Sequence, residues 1–143
     1  MKKSVIMFSV IVISSLLCSC RDPRLPIIIT VRDSLITGQV LEITNRSDKI
    51  LHIRVVGYTE EIWKKMHNFF ENDRLGSTEW SKIPSYGMIL MPNETREVGS
   101  YQMRGFFFTK GRRAKIYGYP HTIINGRGVP DLEKPYDDII WKF

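Results

Sequence analysis

The sequence predicts a mainly β protein, an antiparallel β-sandwich with one inserted amphipathic helix. Three observations lead there. From Ile27 onward, about seven short runs of β-branched and aromatic residues recur, with turn residues every 8–12 positions or so. One stretch alone, Thr59–Asp73, changes to helical period. The chain has 143 residues, 43% of them apolar and 25% charged. That is the size of one domain with one core, and it excludes a disordered chain, a multi-span membrane protein and a disulfide-stapled miniprotein.

The elements follow in order. Ile27-Ile28-Ile29-Thr30-Val31 is a β-branched strand. Gln39–Asn45 sets Leu41 and Ile43 on one face, Val40 and Glu42 on the other. After the polar turn Asn45-Arg46-Ser47-Asp48, Ile50–Val56 alternates, with Leu51, Ile53 and Val55 opposite His52 and Arg54. Two half-buried runs joined by a short polar turn predict a hairpin. In Thr59–Asp73, Ile62, Met66, Phe69 and Phe70 fall at helical spacing with Trp63 beside them. Thr59 is the expected N-cap, and Glu60 and Glu61 oppose the helix dipole. Strand-like pieces return at Ser77–Ile83 and Gly87–Leu90, followed by the Met91–Thr95 turn and a short edge strand, Arg96–Gly99. Phe106–Phe108, the Lys110-Gly111 turn and Arg113–Tyr119 predict a second hairpin, with Ala114 and Ile116 facing in. Asn125-Gly126 is a tight-turn pair. Little periodicity marks Gly126–Trp141 apart from Ile139-Ile140-Trp141.

The N-terminus is of a different kind. Lys2 and Lys3 precede an uncharged run, Ser4 to Leu17. As a helix of about 21 Å it is too short to span a bilayer and has the length of a signal-peptide core. Leu17-Cys18-Ser19-Cys20 resembles the lipobox of bacterial lipoproteins. The resemblance implies cleavage between Ser19 and Cys20, where the peptidase needs a small residue before the cut. It also implies a thioether-linked diacylglycerol on the Cys20 thiol, with Cys18 discarded. The expected organisation is signal peptide 1–19, lipidated Cys and tether 20–26, and a β-sandwich domain 27–143. Removing Met1–Ser19 takes away Lys2 and Lys3 and no acid, so the net charge falls from +6 to +4 over 124 residues. With its one remaining Cys modified, the mature chain forms no internal disulfide. Its acyl chains exceed what stable membrane anchoring requires. By the same resemblance, Arg21 after the Cys implies outer-membrane sorting, facing the periplasm, in a diderm host.

The strand of Gly38–Asn45 with its Asn45-Arg46-Ser47 turn, the Leu90–Gly99 segment led by Pro92, Gly105–Phe108, Lys110-Gly111 and Gly118-Tyr119 together resemble the small immunoglobulin-like sandwich domains of bacterial lipoproteins. This resemblance implies an immunoglobulin-like fold and assigns no activity.

Candidate chemistry is sparse. His52, His67 and His121 lie far apart in sequence, without metal-ligand spacing, and His52 reads as a solvent-facing strand residue. Glu60-Glu61 is explained by the helix start and Asp137-Asp138 by a solvated tail. No nucleophile elbow or phosphate loop occurs. The expectation is therefore no enzyme, no metal, no cofactor beyond the lipid on Cys20, and no nucleic acid. Lys110, Arg112, Arg113 and Lys115 form the densest charge, suited to an anionic surface or an envelope protein's acidic patch. Trp63, flanked by Lys64, Lys65 and His67, could join that surface. The expected function is a membrane-anchored, non-enzymatic binding or assembly module of the cell envelope. The alternative is a glycan- or small-ligand-binding lipoprotein with Trp63, Trp80 and Tyr86 as stacking platforms.

Overall fold

A computed structural model describes residues 23–36, 38–67 and 81–143. The signal segment, Ser19, Cys20, Phe69, Phe70 and Trp80 therefore lie outside the described residues, as do positions 77–80 of the strand expected at Ser77–Ile83. The rest of that segment, Ser81–Ile83, is not strand. No helix among the described residues is long and apolar enough to cross a membrane.

The fold is mainly β, with antiparallel sheets. One sheet has three strands in the order β1 (Ile27–Ser34), β2 (Gly38–Asn45), β5 (Thr95–Val98). The other runs β4 (Ser85–Leu90), β3 (Leu51–Tyr58), β6 (Arg113–Ile124), β7 (Arg127–Pro130), and β8 (Ile139–Lys142) also pairs with β6. Between the sheets lies one core. Leu41, Ile43 and Val98 come from the first sheet, and Leu51, Ile53, Val55, Met88, Leu90, Ala114 and Ile116 from the second. The alternations read from the sequence thus point the correct residues inward.

The pairing of those strands differs from the expectation in two places. β2 and β3 do not form a hairpin; they belong to opposite sheets, and Arg46–Ile50 arches across the core's end. Alternation fixes which side chains point inward but is the same for a hairpin and an arch. Asn45 decides between them. Fully buried, it donates through Nδ2 to the carbonyls of Lys49 (2.7 Å), Leu90 (3.2 Å) and Met91 (3.2 Å). Its Oδ1 accepts the Ser47 backbone N–H (2.9 Å) and hydroxyl (2.7 Å). A residue of the first sheet thereby holds the end of β4 in the second.

Phe106–Phe108 likewise forms no hairpin with β6. Phe106 and Phe108 are buried in the core, and Phe108 meets Gln39 of β2 in an isolated bridge. Apolar burial at the end of the sandwich fixes these rings, and β6 pairs with β3, β7 and β8 instead. The C-terminal stretch, weakly periodic in sequence, supplies two strands. Two glycines mark close approaches: a Cβ on Gly57 would sit 2.8 Å from the Phe106 ring, and one on Gly118 2.7 Å from Leu25.

Helix α1 (Glu60–His67) is the described part of the expected helix. Thr59 Oγ1 accepts the Ile62 N–H at 3.3 Å, the predicted N-cap. Leu25 is buried and the backbone of Arg24 pairs with that of Asp137 in an isolated parallel β-bridge, so folded contacts begin before Ile27.

Asn45→Ala removes the amide that links the end of β2, the turn and the end of β4, and empties its buried site. It should lower stability by about 2–4 kcal/mol, read from urea unfolding. A loss under about 0.5 kcal/mol would show that the arch holds without it.

Candidate functional site

Strand direction gives the molecule two unlike ends. Pro23–Pro26 leads into β1 where Ile27 pairs with Asn45. The arch and the start of β3 lie at this same end, since Leu51 pairs with Leu90, whose carbonyl Asn45 holds. The opposite end carries the β1–β2 tip, the Tyr58–Arg113 pair and α1.

The expected basic cluster lies at that opposite end but does not form one patch. Arg112 Nη1 donates to the Phe107 carbonyl at 2.8 Å, and its guanidinium lies 4.6 Å from the Phe106 ring centroid. Arg113 stacks over Trp63 at 4.9 Å. Lys115 reaches Asp138 at 3.3 Å. Both belong to exposed or half-exposed surface, where such pairs contribute little to stability. Lys110 is exposed on the turn before Gly111 and shows no such contact among the described residues.

Beside this turn are residues that sequence reading passed over. Leu35 and Ile36 stand in solvent at the β1–β2 tip, and Tyr101 is almost as exposed. Phe107, 42% exposed, lies near the base of the tip, where a Cβ on Gly38 would sit 3.6 Å from its ring. Two bulky apolar residues set among Asp33, Ser34, Thr37 and Gly38 were the available signal, because a turn has no need of them.

Of the aromatics expected to form a stacking platform, the two among the described residues are otherwise engaged. Trp63 packs edge-on to Tyr58 (5.6 Å) and face-on to His67 (3.9 Å), and Tyr86 packs against the core. A different aromatic face exists. Tyr117 and Tyr119, in edge contact at 6.2 Å, line an open cleft of about 790 Å³ with His52, Arg54, Ile89 and Leu132.

His52 and His121, 69 residues apart, meet at the edge of this cleft. His52 Nε2 lies 2.9 Å from His121 Nδ1. The ring planes differ by 10° and the centroids are 5.1 Å apart, so the rings lie edge to edge and share one proton between opposed nitrogens. Antiparallel pairing of β3 with β6 makes the contact: His52 faces Tyr119, and His121 is two residues further along. Sequence spacing could not reveal it. Gly128 of β7 closes over the His121 ring, where any Cβ would collide. The described residues hold no group of three or more His, Cys, Asp or Glu placed to bind a metal.

No protein family, curated protein or solved structure matches the chain.

Burial first, and then the charge of His121, lowers the His52 pKa from its ordinary 6.5. The folded protein therefore binds fewer protons than the unfolded chain just below that value. The contribution of His52 to stability is full above pH 6.5 and is lost as pH falls through its lowered folded value. The wild-type urea midpoint should drop between about pH 7.5 and about pH 5 by more than that of His52→Asn. Parallel pH profiles of the two proteins would show that His52 does not titrate this way.

Proposed function

We propose that the protein is a lipid-anchored, non-enzymatic binding module of the cell envelope, tethered at one end of the sandwich and engaging its partner with the other. The exposed pair Leu35 and Ile36, beside Phe107 and Lys110 at the end remote from Pro23, carries this reading. Exposed apolar groups on a tight turn lower solubility, and a partner that buries them removes that cost. Lys110 beside them favours an acidic surface with an apolar pocket. The N-terminal motif at Leu17–Cys20 supports the tether. Anchoring confines the domain to two dimensions and raises its effective concentration beside other envelope components. Three strands facing five, joined by an arch, agree with an immunoglobulin-like sandwich. A second reading, glycan or small-ligand capture, is favoured by the Tyr117–Tyr119 cleft, with Arg54 as the polar contact.

Cells fed a clickable palmitate analogue should label the wild-type chain and not Cys20→Ala; equal labelling of both would overturn lipidation. In cross-linked cells, Ile36→Asp combined with Lys110→Glu should reduce capture of the wild-type partner by about tenfold. Tyr119→Ala should leave that capture intact. The reverse pattern would move function from the tip to the cleft.

A further inference from the structure

The end of the sandwich nearest the tether carries an arm. β3 pairs with β6 only as far as Leu51–Pro120. Beyond it, after one bond from the His121 N–H to the Ile50 carbonyl, residues His121–Ile124 pair with β7 alone. The turn at Asn125 (φ 53°) and Gly126 (φ 76°) has both residues in the left-handed region, as a tight two-residue hairpin requires. Four residues at about 3.3 Å each carry the turn some 13 Å past the end of β3.

This arm is apolar where a solvent-facing hairpin would be polar. Ile123 is 69% exposed and Ile124 57%, on opposite faces of the ribbon. Across from Ile123 is Gly128, which has no side chain to cover it, and across from Ile124 is the exposed Arg127. Leu132, just past β7, is 68% exposed.

The arm and the tether are neighbours. Arg24, Leu25 and Pro26 line one wall of a groove whose other wall is Pro120, His121 and Thr122. Pro23 is held in place, its carbonyl accepting the Asp137 N–H at 2.7 Å. Two residues, Arg21 and Asp22, lie between it and Cys20, a reach of at most about 11 Å over three Cα–Cα steps. A lipid on Cys20 therefore brings the base of the arm to the headgroup layer, and the arm is long enough to enter it. The charges around it nearly balance: Arg24, Arg46, Lys49, Arg127 and Lys134 stand against Asp48, Asp131, Glu133 and Asp137. Apolar insertion, rather than attraction to anionic lipid, fits that balance.

We infer that the β6–β7 hairpin is a second membrane contact, inserting Ile123 and Ile124 into the interface of the bilayer that anchors Cys20. The inference rests on the anchoring reading above. It assigns the β1–β2 tip to the partner and the hairpin to lipid.

The test uses the cell-processed protein, with isoleucine, leucine and valine methyl groups labelled, in phosphatidylcholine nanodiscs. A fraction of the lipid carries a nitroxide on the upper acyl chain. The Ile123 and Ile124 methyl signals should broaden at least about fivefold more than those of Leu35 and Ile36. Replacing a third of the phosphatidylcholine with phosphatidylglycerol should change this less than twofold. Equal broadening at both ends, or none at the hairpin in protein whose mass shows diacylglycerol on Cys20, overturns the insertion and leaves the anchor standing. An unmodified Cys20 overturns both. Hairpin signals that ignore the nitroxide but shift with protein concentration would assign the arm to a second copy of the chain, and also overturn the inference. In Ile123→Asp with Ile124→Asp, exposed positions that leave the core untouched, nitroxide broadening of the neighbouring Val129 methyls should fall at least threefold.

Discussion

The arrangement depends on one buried amide. Asn45 sits at the last position of β2 and donates to carbonyls at the end of β4, in the opposite sheet. An apolar residue of the same volume would fill the space but make none of the bonds that tie β2 to the end of β4. An aspartate would set a carboxylate against three carbonyl oxygens. Only an amide offers donors to one sheet and an acceptor to the turn in between. Ser47 completes the site by donating to the amide oxygen through both its backbone and its hydroxyl. The chain is thus committed to cross between the sheets rather than fold back within one.

That crossing sets the polarity of the molecule. Because β3 starts in the second sheet at the end that carries Pro23–Pro26, it runs toward the far end, and β6, antiparallel to it, runs back. The extra length of β6 must then project at the end that carries Pro23–Pro26, where β7 pairs with it. The β1–β2 tip, Phe107 and the Lys110 turn are left together at the other end. His52 and His121 brace the arm at its root, since the shared proton ties β3 to the part of β6 that β3 no longer pairs with. Gly128 keeps that brace closed by admitting the imidazole where a side chain would exclude it.

Local patterns in the sequence revealed the inward-facing residues and the start of the helix, because each is determined within a few positions. Leu41, Ile43, Leu51, Ile53, Val55, Ala114 and Ile116 all face the core as their alternation indicates. Which strand lies beside which was not legible. The Arg46–Ile50 segment has the composition of a hairpin turn, and only the burial of Asn45 shows otherwise. Phe106–Phe108 has strand composition but is fixed by the end of the core. The candidate sites divide in the same way. Density of charge pointed to Lys110–Lys115, yet three of those four side chains are turned to Phe107, Trp63 and Asp138. Leu35 and Ile36 are adjacent in sequence and were readable. The His52–His121 contact arises from strand register, which a single sequence does not encode in its spacing.

A lipid alone fixes position but leaves orientation free. With a flexible attachment, a domain anchored at Cys20 could tilt until its apolar tip lay against its own membrane, hiding the surface proposed to meet a partner. The Asp137 N–H holds the Pro23 carbonyl, and Arg24–Pro26 line a groove with Pro120–Thr122, so the proposed attachment is short at its protein end. In the proposed anchored state, a second apolar contact beside the lipid turns one pivot into two, and tilting then requires withdrawing Ile123 and Ile124 from the interface. The tip at Leu35 and Ile36, about eight residues of β1 away, or some 26 Å, would be held pointing outward. Two exposed apolar hairpins at opposite ends of a small domain would invite aggregation if both faced water. That liability disappears when one is covered by lipid and the other by a partner.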